Sequence, residues 1–169
     1  HPTNRRQRQM CIRDSTLGEL SDKKTHIFAG AAADPNCRNQ RSLETRMRKK
    51  KEAGAGFIQT QMVMERENLM EFCEKISNPL EIPVIAGVFL LKSYKNALFI
   101  NKYVPGANIP ENIINRLKNA KDPLQEGIQI AAEQAKDFIN IADGVHLMAV
   151  KAEHLIPEIL KKAELTLEY

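Results

Sequence analysis

No apolar run in this chain approaches the ~20 residues that a membrane-spanning helix needs. No apolar core of a secretory leader stands near its start, so neither a membrane nor an export route is indicated. Cysteine is scarce: there are 3, at Cys11, Cys37 and Cys73, odd in number and far apart. That fits reduced thiols in a cytoplasm better than a disulfide framework. No metal-ligand spacing is present, and no Ser-His-Asp or Cys-His pairing can be argued. A net excess of positive charge is also missing from most of the chain. Arg5, Arg6, Arg8 and Arg13 against Asp14 account for most of the net +4, leaving a nearly neutral body and no nucleic-acid surface.

What is there is enough for one sizeable core: 169 residues, 43% of them hydrophobic, within the usual range for a soluble domain. His1 to Ser15 has neither helical nor strand period. Met10-Cys-Ile-Arg-Asp-Ser15 resembles translated adapter sequence, and a disordered basic tail is the other reading. The fold is therefore expected in residues 16–169.

From Thr25 onward, strands and helices alternate. His26 to Ala33 reads as a buried strand, and Asp34-Pro35-Asn36 as a turn. Ser42 to Ala53 reads as a helix with Glu44 early and Arg46, Arg48, Lys49 and Lys50 late, as the helix dipole favours. Phe57 to Val63 is a second strand. Glu67 to Ile76 is a helix with Leu69, Phe72, Cys73 and Ile76 on one face, ended by Asn78-Pro79. Ile82 to Leu90 is continuously apolar and is expected to be buried on both faces. A helix over Ser93 to Val104 stops at Pro105-Gly106, and a shorter one runs from Pro110 to Lys121. Asp122-Pro123 with Gln125 has the form of a capping box. The helix it opens carries Leu124, Ile128, Ala131, Ala135 and Phe138 along one stripe. Val145 to Val150 is the fourth strand, and Ala152 to Leu165 a last amphipathic helix.

Successive βα units with short connections imply parallel strands. Two architectures remain: a doubly wound sheet or part of a (β/α)8 TIM barrel. A complete barrel takes ~250 residues, so four parallel strands would make a partial barrel, about half of one.

In a parallel barrel the chemistry sits just past the strand C-termini. Gln61 ends the second strand, where its amide could pair with a heterocycle such as a pterin or flavin, or simply bond a neighbouring loop. Tyr94 follows the third strand; it could stack on a planar ligand or pack on its own helix. Lys151 follows the fourth and could meet a carboxylate or phosphate, or stay solvated. His146, between Val145 and Leu147, reads as a buried histidine bonded to backbone, with a catalytic acid as the other reading. Of the basic run, one member could reach a cofactor phosphate. Gly54-Ala-Gly56 is no dinucleotide loop, because it follows a helix and opens a strand, the reverse of the Rossmann order.

Lys50-Glu-Ala-Gly-Ala-Gly-Phe-Ile-Gln-Thr-Gln61 resembles the Lys-x-x-Ala-Gly-Ala-x-x-x-Thr-Gln strand of the methylenetetrahydrofolate reductase family. Ile82-Pro-Val-Ile-Ala-Gly-Val is similar to that family's Pro-Ile-x-Pro-Gly-Ile strand, with Ala86 for the second proline. Phe28-Ala-Gly-Ala-Ala-Ala33 with Asp34-Pro35 resembles its Gly-x-Ala-x-x-Pro strand. Gly144-Val-His-Leu-Met-Ala-Val150 is similar to the last strand of the bacterial branch lacking a Phe-Tyr-Thr ending.

The resemblance implies a (β/α)8 barrel holding FAD and reducing 5,10-methylenetetrahydrofolate to 5-methyltetrahydrofolate, with electrons from NADH, NADPH or a partner carrier. It implies that Gln61 meets the pterin, Tyr94 packs on the folate and Lys151 meets the substrate tail. Lys50, Lys49 and Arg46 would touch the FAD phosphates and ribityl chain. Asp34 stands where the better-known branch has an aromatic. The catalytic Glu and the flavin-tuning Asp belong to the family's first and fourth strands, which have no counterpart here. The chain is therefore expected to be the C-terminal half of the barrel, inactive by itself, with open strand edges that invite pairing with another copy. A pterin- or corrinoid-linked methyltransferase barrel, or a non-enzymatic accessory half barrel docking on a flavoprotein subunit, are the alternatives.

Overall fold

The computed structural model describes residues 28–165. The basic head lies outside the described residues, as do His26 and Ile27 of the first expected strand. Four strands alternate with helices: β1 (Gly30–Ala33), α1 (Gln40–Glu52), β2 (Phe57–Met62), α2 (Arg66–Phe72), β3 (Val84–Phe89), α3 (Tyr94–Tyr103), α4 (Glu111–Asn119), α5 (Pro123–Phe138), β4 (Gly144–Met148) and α6 (Ile156–Lys162).

Strand order settles the choice of architecture. All neighbours are parallel and lie in the order β1-β2-β3-β4. A doubly wound sheet reverses direction at a switch point; this one never does. Each right-handed crossover therefore advances the same way and leaves its helix on the same face. The result is a wall of a TIM barrel.

The side chains divide accordingly. Ile58, Val84, Ala86 and Val88 turn toward the helices and pack with Leu43, Met47, Phe72, Ile128 and Phe138 in one buried cluster. Truncating a fully buried Phe72 or Phe138 to alanine typically costs ~3–5 kcal/mol. Phe57, Gln59 and Gln61 alternate with the buried residues of β2 and are half-buried, so they face the concave side. A second cluster joins Met62, Met64 and Leu91, at and beyond the strand ends, to Ala97, Ile100, Ile113 and Leu117 of α3 and α4.

The helix ends follow their sequence signals. Asp122 Oδ1 accepts from the backbone N–H groups of Leu124 and Gln125, an N-cap worth ~1 kcal/mol. The reciprocal half of the expected capping box is not made: Gln125 Oε1 accepts from Lys162 Nζ at 3.4 Å instead. At the end of α1, Gly54 adopts φ +97°. Its N–H bonds Lys51 O, and that of Ala55 bonds Lys50 O. This is the Schellman pattern, so Gly54 closes a helix, in the order opposite to a dinucleotide loop.

Three elements are shorter than their patterns. β1 begins at Gly30, leaving Phe28 and Ala29 outside it. α2 ends at Phe72 and passes into a π turn, Cys73–Ser77, although Leu69, Phe72, Cys73 and Ile76 are all buried as expected. The last helix starts as a 3-10 turn, Glu153–Leu155, because Pro157 suits only the first turn of an α-helix and sets α6 to begin at Ile156. β3 is buried on its helix face, while Ile85 and Phe89 keep partial exposure on the concave side.

Candidate functional site

The concave face of β1 and β2, with the neighbouring end of α1, bounds an open trough of about 680 Å³. Gln59 and Gln61 of β2, Arg46 and Lys50 of α1, Met148 of β4 and Pro105 from the loop after α3 all line it.

A bulge aims the polar residues of β2. Gln59 pairs with Ile85, yet Met62 pairs with Gly87, so β2 carries one residue more than β3 over that stretch. Such bulges bend a strand and redirect side chains. Here the extra residue falls at the end that holds Gln61. The Gln61 amide donates to Pro105 O at 3.4 Å, and its Oε1 accepts from Met62 N at 3.2 Å. Gln61 thus both bonds a neighbouring loop and faces the trough.

That loop is tied down by Asn36. The Asn36 amide donates to Met62 O at 3.3 Å and to Gly106 O at 3.2 Å, and its Oδ1 accepts from Asn68 Nδ2 at 3.1 Å. One side chain therefore joins the segments that follow β1, β2 and α3. Gly106 sits at φ +80°, and a Cβ on it would lie 2.7 Å from Asp34 Oδ2, so only glycine fits that approach.

Of the basic residues, the structure brings two to the trough. The Lys50 ammonium donates to Ala32 O on the exposed β1 edge. Arg46 bonds Ser42 O at 3.3 Å and Cys37 Sγ at 3.3 Å. Lys49 is exposed on another side of α1 and does not line the trough. Tyr94, expected near a ligand, lies in the first turn of α3. Its ring packs against the second cluster with Lys118 Nζ 5.8 Å from its centroid. Lys151 is exposed at φ 56°. Its backbone N–H donates to Glu153, whose carboxyl is held below its usual range by its own backbone amide and that of Lys151.

His146 differs from expectation. It is exposed, and its Nδ1 lies 2.8 Å from the side-chain nitrogen of Gln59, with no bond to backbone. The reason is registry: His146 pairs with Gly87, on the concave side of β4, where no helix covers it. Gln59 and Asn36 were missed by the sequence reading. The alternation of Gln59 with Gln61 was the available signal for the first; the turn chemistry around Asn36 carried none for the second. Among the described residues no group of His, Cys, Asp or Glu could hold a metal.

Comparison with known proteins bears on the fold and the family. No curated protein matches the chain. Among solved structures, an uncharacterized protein from Clostridium thermocellum that binds two copies of 5-methyl-5,6,7,8-tetrahydrofolic acid superposes with a TM-score of 0.62 at 20% identity. The match covers 81% of this chain and 52% of that one, so the chain spans about half the length of that protein. At this identity the likeness establishes the fold. The sequence model for methylenetetrahydrofolate reductase matches residues 21–164, most of the chain including every strand above, and the protein belongs to the methylenetetrahydrofolate reductase family.

Proposed function

We propose that residues 16–169 form the C-terminal half of a flavin-dependent, cytoplasmic reductase barrel that converts 5,10-methylenetetrahydrofolate to 5-methyltetrahydrofolate. The observation that carries this reading is the placement of Gln61. Its amide stands at the C-terminal end of a barrel strand, in a trough whose rim holds Arg46 and Lys50. The Clostridium relative, which binds 5-methyltetrahydrofolate, supports a reduced folate as ligand.

The residues fit FAD. Arg46 and Lys50 sit one helical turn apart on α1 beside the exposed edge of β1, a position suited to a diphosphate; Lys49 would add to the local positive field. When bound, the flavin supplies the hydride chemistry, with NADH, NADPH or a partner electron carrier as source. This chain's residues bind and orient. Gln61 offers both a donor and an acceptor to the pterin. The loop at Pro105, held by Asn36, shields that end of the trough from water. Tyr94 and Lys151 would meet the folate through movement of the segments after β3 and β4. The acidic catalytic groups implied by the family resemblance belong to other strands, so binding without turnover is the behaviour proposed for this chain.

Titration of this chain with FAD, followed by flavin fluorescence, and with 5-methyltetrahydrofolate, followed by calorimetry, tests the reading. Uptake of FAD, with or without the methylfolate, together with weaker methylfolate binding in Gln61→Leu, is the expected result. A folded chain that takes up neither overturns it. Retention of the methylfolate with no uptake of flavin favours a methyltransferase barrel instead.

A further inference from the structure

The concave wall carries a polar couple that neither the family model nor the site built around Gln61 accounts for. Gln59 on β2 and His146 on β4 reach across the intervening strand β3 and meet at 2.8 Å. The backbone register makes this possible: Gln59 pairs with Ile85 and His146 with Gly87, so the residue of β3 beside His146 has no side chain to block the span.

The chemistry of the couple is constrained. One of the two facing atoms donates and the other accepts. If the Gln59 amide donates to Nδ1, then Nε2 of the neutral ring carries the proton, and the Gln59 carbonyl oxygen keeps its lone pairs. If the amide is turned, Nδ1–H donates to that oxygen, and the roles of the two outward atoms exchange. Either arrangement leaves one donor and one acceptor unused by the couple. Neither residue makes another side-chain hydrogen bond among the described residues. The surroundings are apolar on both sides, with Phe57 and Ile85 near Gln59 and Met148 beyond His146, all half-buried.

We propose that Gln59 and His146 act as one unit that reads the amide edge (an adjacent N–H and C=O) of a planar heterocycle lying in the trough. That edge is shared by the pyrimidine ring of a pterin and that of a flavin. Gln61, two residues along the same face, would then contact a different part of the same ring system. The couple is a recognition and positioning device: it sets which edge of the ring faces β3 and how deep it lies. This rests on the proposed function in taking folate and flavin as the ring compounds.

The test measures binding of 5-methyltetrahydrofolate, and separately of riboflavin, to wild type, Gln59→Leu, His146→Phe and the double variant. For whichever ring sits on the couple, each single variant weakens binding about tenfold or more, the loss of a hydrogen bond at a shielded site. The double variant weakens it no further than the worse single, because breaking either member disables the unit. The arm that responds, pterin or flavin, identifies the ring. Binding within twofold of wild type in both single variants overturns the inference while leaving the proposed function intact, and so do strictly additive losses. Wild type that binds neither compound overturns the inference, and if it takes up no FAD either, the proposed function falls with it. Circular dichroism checks folding; should a variant misfold, ¹⁵N-histidine NMR of the wild type decides. Ligand must then move the His146 ring-nitrogen resonances, and unmoved resonances at saturation overturn the proposal.

Discussion

The Thr60 hydroxyl accepts a hydrogen bond from the backbone N–H of Gly87 at 2.8 Å. It donates in turn to Gln61 O at 2.7 Å. At the bulge the two strands lose their ordinary ladder, and this buried side chain takes the place of the missing backbone acceptor. The strand that presents Gln59 and Gln61 is held in place by a residue facing the opposite way.

Thr60→Val keeps the shape and removes the hydroxyl. The Gly87 N–H is then buried without its partner, at a cost of ~1–3 kcal/mol, read as a lower midpoint in urea. Gly87→Ala strikes the same contact from the other strand. Its Cβ would fall 2.9 Å from the carbonyl oxygens of both Thr60 and Gln61, backbone atoms that cannot swing aside, so the expected loss is at least ~1–3 kcal/mol. Unchanged midpoints for both variants would show that the bulge does not depend on this contact.

Asn36→Ala severs the tie among the segments after β1, β2 and α3. The carbonyl of Gly106, near the surface, finds water, so the stability cost stays near ~1 kcal/mol. Local opening should rise more than global opening. Hydrogen exchange across residues 104–108 is expected to speed up while exchange in β3 is unchanged. Equal acceleration in both places would show that the loop is not a separate unit.

The fold was largely legible because it rests on periodicity. Ile58 and Thr60 alternate with Gln59 and Gln61, and the stripe from Ile128 to Phe138 fixes the face of α5. The site was legible only where an element carries its residue directly, as β2 carries Gln61. The contact between His146 and Gln59 spans 87 positions and depends on the register of three strands, one of them bulged. Nothing local in Val145-His146-Leu147 distinguishes a histidine beneath a helix from one on an open wall. Tyr94 illustrates the converse. Its place in the sequence suggests the strand tip, but N-capping by Ser93, whose hydroxyl accepts from Asn96 N, starts the helix at once and turns the ring toward α4.

Arg46→Gln and Lys50→Gln test whether the basic end of α1 acts through charge on a phosphate. Each should weaken FAD by about tenfold, the usual scale for losing a hydrogen bond to a charged group, and leave riboflavin, which has no phosphate, nearly unaffected. The FAD effect should also shrink as salt is raised, since the rim of the trough is open to screening. An equal loss for riboflavin would mean that the two residues act on the shape of β1 through the Lys50 bond to Ala32 O.

Cys73 supplies a prediction that depends on no ligand. Burial first, then the nearby charges of Asp143 and Glu74, push its thiol up to about 11 from 9.0. The folded state therefore keeps a proton that the unfolded chain gives up from pH 9.0 upward. Below that value both states are protonated, and the thiol adds no pH dependence. As pH rises toward 11 the unfolded state binds fewer protons than the folded one, so stability falls across that window. Urea midpoints measured between pH 8 and pH 11 should decline more steeply for wild type than for Cys73→Ala, whose own stability is lower throughout because the packing around the thiol is lost. The same shift keeps the thiolate scarce at pH 8. Iodoacetamide should leave Cys73 unmodified in the folded protein and label it in urea, as peptide mass spectrometry would record. Parallel midpoint curves for the two proteins, or rapid labelling of folded protein at pH 8, would place the thiol in water and contradict its burial in the large apolar cluster.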